Sequence, residues 1–305
     1  MFPDESRTTF ARSDDHRRIA YAEYGDPDGI PVVFFHGTPG SRLSGRLLHP
    51  AAAERGVRVL AVDRPGYGRS PPWDDRSFLD AGAFLAPVLD DVGVRDAHLV
   101  AFSGGSPHAL AAAIAAPDRV AGVDVIAGAT PPAVSEETPR TQRLLGTLAA
   151  RTPIALRGLL RGQAWLAARL DPSVVVSQYT ADGGADVIPD AVAEGVRADF
   201  LEAFARSRRG AVAEFAMLAA DWGIPVSEIG TDVRLRHGEA DTNVPIGDVR
   251  RFVSRIPTAS LRVLEGDDHL GSLLSSAPDV FADVAARSSR DPDAEDHDGS
   301  DARRR

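Results

Sequence analysis

The sequence predicts an α/β fold with a mainly parallel, doubly wound sheet and one long helical insertion. Three observations predict it. Short, nearly continuous apolar runs recur at Ile30–Phe35, Val57–Val62, Ala97–Phe102 and Val120–Ile126, with weaker strand patterns at 233–235 and 261–264. Runs this short and this apolar suit strands buried on both faces. Helical patterns alternate with them over 78–92, 104–116, 248–256 and 271–286, as a doubly wound sheet requires. The alternation then fails between about Thr130 and Gly230, where helical spacing alone is found.

Each element has its own local signal. Residues 8–24 read as two strands broken by Ser13-Asp14-Asp15, a hairpin pattern. The helical pattern after Ser103 is alanine-rich and stops at Pro117-Asp118. The insertion opens on Thr130-Pro131-Pro132. It continues with Leu144, Leu145 and Leu148, then Leu156, Leu159 and Leu160, then Trp165, Leu166 and Leu170. Sheet-like strands resume after it, which favours an insertion over a separate domain. The expected division is a core of 8–129 and 231–287, a helical cap of 130–230, and an Asp-rich tail over 288–305. The tail's polarity predicts disorder. There are no internal repeats.

Composition narrows the function. The chain has 305 residues, a 43% apolar fraction and a net charge of −10. It has no cysteine, which excludes disulfides, thiolate metal sites and a cysteine nucleophile. All 34 basic residues are arginine, so no lysine Schiff base or phosphate-loop lysine is available. The acid excess argues against nucleic acid as a partner. No apolar run reaches the roughly 18–20 residues of a membrane span. The first residues lack a basic segment followed by an apolar one. The expectation is a cytoplasmic protein acting on a small-molecule substrate, with no membrane or nucleic-acid partner. Its oligomeric state is not legible.

Ser103 stands where the run Ala97–Phe102 meets the alanine-rich helix. A nucleophile there needs a sharp, strained turn, so small residues must flank it two before and two after. Ala101 and Gly105 meet that need, although glycine is usual at the first position. The Gly104 amide falls at a helix start, where unpaired N–H groups favour negative charge. Ser103 could otherwise be a simple N-cap.

Phe34-Phe35-His36-Gly37-Thr38-Pro39-Gly40-Ser41 follows the first buried run, and Asp63-Arg64-Pro65-Gly66-Tyr67-Gly68-Arg69-Ser70 follows the second. With these segments the chain resembles the α/β-hydrolase fold family, in its H-G-x-P branch. The resemblance extends over about 8–287, loosely in the cap. It implies that the Thr38 and Gly104 amides form an oxyanion hole, that His36 braces the loop, and that 63–70 is structural.

A serine hydroxyl needs a base, usually histidine, and the base needs an orienting carboxylate. In the family the order is serine, acid, histidine. His269, after the last strand pattern, lies where the family keeps its histidine. Asp241, in His237-Gly238-Glu239-Ala240-Asp241-Thr242-Asn243-Val244-Pro245, matches the family's acid segment. Asp267 and Asp268 adjoin His269 and are expected to cap the next turn. The resemblance thus implies a serine hydrolase with Ser103, Asp241 and His269 as its triad. It needs no metal and no organic cofactor.

The serine sets this chain apart from branches with aspartate at that place. The expected reaction is acyl transfer on a small, apolar carboxylic ester. Trp165, Tyr179, Phe200, Phe204 and Phe215 are the aromatic cap residues that could line the site. A proline iminopeptidase would need a cap carboxylate for a free amino terminus, for which Glu194, Glu202 and Glu214 are available. It usually has tryptophan after the serine, where this chain has Gly104. Lactonases and carbon–carbon bond hydrolases are further alternatives, as is a ligand-binding protein without activity.

Overall fold

The computed structural model describes residues 8–13, 17–181 and 183–289. The tail from 290 onward, Asp14, Asp15, His16 and His297 lie outside them.

Eight strands form one sheet: β1 (Thr9–Arg12), β2 (Arg18–Gly25), β3 (Ile30–Phe35), β4 (Val57–Val62), β5 (Ala97–Phe102), β6 (Val120–Ile126), β7 (Val233–Gly238) and β8 (Ala259–Leu264). Their spatial order is β1-β2-β4-β3-β5-β6-β7-β8. The β1–β2 hairpin and the β2–β4 pair are antiparallel; every later pair is parallel. The apolar runs are explained by burial on both faces. Val33, Phe35, Leu60 and Leu99 enter one core cluster, while their neighbours Val32, Phe34, Val59 and Val100 enter the other. Successive side chains of a strand point to opposite faces, so only a sheet covered twice keeps the whole run apolar. Each fully buried large side chain contributes about 1.5–3 kcal/mol.

Helices α1 (His49–Glu54), α2 (Ala81–Asp91), α3 (Ser106–Ala115), α9 (Ile246–Val253) and α10 (His269–Ser288) flank the sheet. The helical stretch of Arg42–Leu48, a 3-10 helix, and α1 was not expected from the sequence. Both pieces are too short to carry a helical period.

The chain runs from β3 outward to β4, then returns to β5 on the other side of β3. At such a reversal the loops after the two neighbouring strands diverge and open a crevice at the strands' carboxyl ends. Here those loops begin at His36 and Ser103. Between β6 and β7 lie α4 (Arg140–Arg151), α5 (Pro153–Ala167), α6 (Ser173–Val176), α7 (Asp190–Ala203) and α8 (Arg209–Leu218). Among the described residues no helix is long and apolar enough to cross a membrane.

Candidate active site

Ser103 follows β5 directly and has a φ of +52°. A non-glycine residue in this left-handed region is strained, and such strain collects at functional turns. The turn is tolerated because its neighbours are small. A Cβ on Gly105 would come within 2.4 Å of the Phe35 carbonyl oxygen. A Cβ on Gly104 would come within 2.3 Å of Thr38 Oγ1 and 3.3 Å of Thr38 N. The glycines thus let the elbow and the loop after β3 close on each other. Ala101, fully buried between Phe35 and Val125, is compatible with the same turn. Ser103 O accepts a bond of 3.1 Å from Ala129 N, tying the turn to the loop after β6.

The loop from His36 to Thr38 is held from behind. Burial, with the Arg64 charge, keeps the His36 imidazole neutral. Its Nδ1 lies 2.7 Å from Gly37 O, and the Arg64 amide reaches its Nε2 at 3.4 Å. The neutral tautomer that serves both bonds carries its proton on Nδ1. The Arg64 guanidinium also donates to His36 O, and to Gly37 O at 3.1 Å. The Gly37 carbonyl and the Thr38 N–H belong to one planar trans peptide, so they point in opposite directions. Holding the carbonyl inward therefore aims the Thr38 N–H away from Arg64.

Arg64 is itself held by Glu214 of α8, through Nε to Oε1 at 3.0 Å and through Nη2 to Oε2 at 2.7 Å. Glu214 is fully buried. It also accepts from Arg76 at 2.7 Å, Tyr67 at 2.9 Å and Thr38 Oγ1 at 2.8 Å, and lies 3.2 Å from His108 Nε2. Burial alone would raise its pKa, but the charges of Arg64 and Arg76 and the contact with His108 hold it well below the ordinary value. His108 is pushed down to about 4 by burial and by both arginines, so it is neutral near pH 7. The sequence offered no signal for this cluster, because Glu214 and Arg64 are 150 residues apart.

His269 begins α10, and its Nδ1 lies 2.7 Å from Asp241 Oδ2, with both groups buried. Asp241 Oδ1 accepts from Asn243 N at 2.8 Å and Val244 N at 2.9 Å, which fixes the carboxylate in its turn. His237 Nε2 lies 3.2 Å from Oδ2. Burial would raise the Asp241 pKa; His269 and His237 outweigh it and keep the group ionised far below the usual range. The His269 ring packs between Phe102, 4.8 Å away, and Tyr179, stacked at 6.4 Å. Asp268 caps α10 through Gly271 N at 2.8 Å. Among the described residues no hydrogen bond joins Ser103 Oγ to His269. In free hydrolases that bond is often long and tightens on substrate binding. A second buried histidine–carboxylate pair, His98 and Asp124 at 2.6 Å, lies within the sheet beside Arg234 and Arg236. Neither of its members lines the cavity.

Ser103, Gly104 and Thr38 open onto a cavity of about 580 Å³. Its far wall is α4, with Gln142, Arg143, Thr147 and Arg151, and α8, with Phe215 and Leu218. The lining draws little on the aromatic cap residues named from the sequence. Of the five cap aromatics only Phe215 lines it; Phe200 and Phe204 are in the core, Tyr179 is against His269, and Trp165 is 55% exposed. The three cap glutamates are also committed elsewhere. Glu202 bridges Arg42 and Arg69, and Glu194 pairs with Arg197.

Residues 30–165 match the family of the alpha/beta hydrolase fold. A 2-hydroxy-6-oxononadienedioate/2-hydroxy-6-oxononatrienedioate hydrolase of Burkholderia vietnamiensis is 29% identical over 258 residues, 81% of this chain and 82% of that protein. A proline iminopeptidase of Neisseria gonorrhoeae is 33% identical over 112 residues, 35% of each protein. The chain spans only 28% to 35% of the length of several curated relatives it matches. Among solved structures, an esterase from Exiguobacterium antarcticum aligns with a TM-score of 0.67 at 19% identity, covering 93% of this chain and all of that one. Sheet order, elbow and matched region together define the class by its architecture: the chain has the α/β-hydrolase fold.

Proposed function

We propose that this protein is a serine hydrolase that cleaves a small carboxylic ester through an acyl-enzyme. The reading is carried by the buried His269–Asp241 pair at 2.7 Å, at the same end of the sheet as a serine in the left-handed region. His269 Nε2 takes the Ser103 proton as Oγ attacks the ester carbonyl. The ionised Asp241 holds Nδ1–H and stabilises the imidazolium. The Thr38 and Gly104 amides receive the oxyanion, which is the larger share of such catalysis. His269 returns the proton to the departing alkoxide, and water then releases the acid by the same steps in reverse order.

The iminopeptidase alternative loses its carboxylates, since Glu194, Glu202 and Glu214 are each paired with arginine. A substrate bearing a carboxylate is a second reading, favoured by Arg143 and Arg151 in the cavity wall.

The test is labelling by a fluorophosphonate probe together with turnover of short p-nitrophenyl esters. Ser103 is expected to carry the label, and Ser103→Ala to lose at least about 1,000-fold in kcat. A folded protein whose Ser103 resists the probe, or turnover unchanged in Ser103→Ala, overturns the reading.

A further inference from the structure

A second surface feature lies on the outside of the inserted helices. Residues 138–170 contain six arginines and no aspartate or glutamate. The rest of the chain carries a net charge of −16. Arg140, Arg143, Arg151, Arg157, Arg161 and Arg169 are all exposed, and among the described residues none is paired with a carboxylate; Arg143 and Arg151 also line the cavity, which leaves four to the outer face. Most of the described arginines elsewhere in the chain, Arg42, Arg64 and Arg236 among them, pair with a carboxylate.

The same segment exposes apolar side chains. Leu144, Ile154, Leu159, Trp165, Leu166 and Leu170 are six of the ten large hydrophobic residues exposed among the described residues. Ile154 is 78% exposed and Trp165 55%. The buried stripe of α5 is Leu156, Leu160 and Ala167, which face the core. At about 100° per residue, Ile154 and Trp165 fall opposite that stripe with Arg161 beside them, while Leu159 and Leu166 flank it. The Arg169 guanidinium lies 4.2 Å from the Trp165 ring centre. A helix with one apolar face in the core needs no second one, and contiguous exposed patches mark interaction sites.

We propose that this face rests on an anionic lipid surface. Arginine beside exposed Trp, Leu and Ile is the composition of a helix that lies in the headgroup region. The charge selects the occupant. A symmetric contact with a second copy would set arginine against arginine, whereas a bilayer of acidic phospholipid offers phosphates to the cations and acyl chains to the apolar residues. The face is well placed for the cavity, because α4 carries Arg143, Thr147 and Arg151 on the cavity wall and Leu144 outside. The sequence contains no membrane span. A helix that lies on a membrane needs no span.

The test is flotation of the full chain with vesicles of phosphatidylcholine alone and of phosphatidylcholine mixed with phosphatidylglycerol. Binding to the mixed vesicles and not to the neutral ones is expected, weakening as salt rises. Arg157→Gln and Arg161→Gln are each expected to weaken binding by roughly fivefold. Ile154→Ser with Trp165→Ser is expected to weaken it by more than tenfold, with turnover of a short soluble ester unchanged. Trp73 and Trp222 are buried, so a blue shift of tryptophan emission on the mixed vesicles reports Trp165. Wild-type protein that stays with the buffer, or variants that float like wild type, overturn the proposal. A dimer that these substitutions split, without vesicle binding, overturns it too and assigns the face to a second copy.

Discussion

The inserted helices differ sharply between their inner and outer layers. On the inner side, α7 and α8 bring three carboxylates down onto the core. Glu214 meets Arg64 and Arg76, Glu202 meets Arg42 and Arg69, and Asp199 accepts from Ser41 and Ser44. On the outer side, α4 and α5 carry cations and no anions, and Leu144, Ile154, Leu159, Trp165 and Leu166 are exposed. Both layers are helical, and both are rich in apolar residues. The difference is where the acids are. Acids fix the inner layer to the loops that shape the site, while the outer layer is left free to meet something else.

The comparison breaks most readily at Glu214. Glu214→Ala would leave Arg64 and Arg76 buried without a carboxylate, at a cost of about 3–5 kcal/mol. Chemical denaturation reads this directly. Arg64 also holds the Gly37 carbonyl, so the Thr38 N–H loses its aim. A kcat about tenfold lower or worse, with KM little changed, is expected even in Glu214→Gln, which retains the shape without the charge. A loss below about 1 kcal/mol with unchanged kcat would mean that the inner layer does not position the loop.

Asp199 offers a smaller and pH-dependent effect. Burial pushes its carboxyl up to about 7, against the hydrogen bonds from Ser41 that lower it. A carboxyl raised above its unfolded value of about 3.9 stabilises the fold fully only below that value. That contribution is lost as pH rises through about 7. Asp199 is only partly covered, so the loss is expected to be about 1–2 kcal/mol rather than the full linkage value. Its Oδ1 takes the bonds from Ser41 N, Ser41 Oγ and Ser44 N, all within 3.0 Å, and asparagine supplies the same acceptor. Asp199→Asn should therefore flatten the fall in urea midpoint between pH 5 and pH 8. Equal slopes in the two proteins would remove Asp199 from the inner lock.

This contrast also marks what the sequence could reveal. The first four buried strands were legible to the residue, because a parallel strand covered on both faces is an unbroken apolar run. Thr38, Ser103, Asp241 and His269 could be placed just after strand patterns, and the structure puts them after β3, β5, β7 and β8 at one end of the sheet. The elements joined by tertiary packing were not. Trp165 and Phe200 look alike as aromatic residues of a helix, yet one faces solvent and the other the core. In the sequence Glu214 is one of three cap carboxylates open to an alternative substrate's amino group. Its helix brings it instead to two arginines from loops far away in the chain. Nothing local distinguishes a carboxylate that will be buried from one that will be available.

The smallest expected effect is the one that defines the outer layer. Exposed side chains make few contacts, so Ile154→Ser with Trp165→Ser should change folding stability by less than about 1 kcal/mol in total. A slight gain is compatible with the comparison, since serine exposes less apolar surface to water. The measurement is a urea titration in dilute buffer without vesicles, at two protein concentrations. A loss above about 2 kcal/mol that is the same at both concentrations would show that these residues are packed within the chain. A loss confined to the higher concentration would show that a second copy covers them. Either outcome would remove the distinction between the two layers, because the outer helices would then be fixed by apolar contact as firmly as the inner ones are by Glu214.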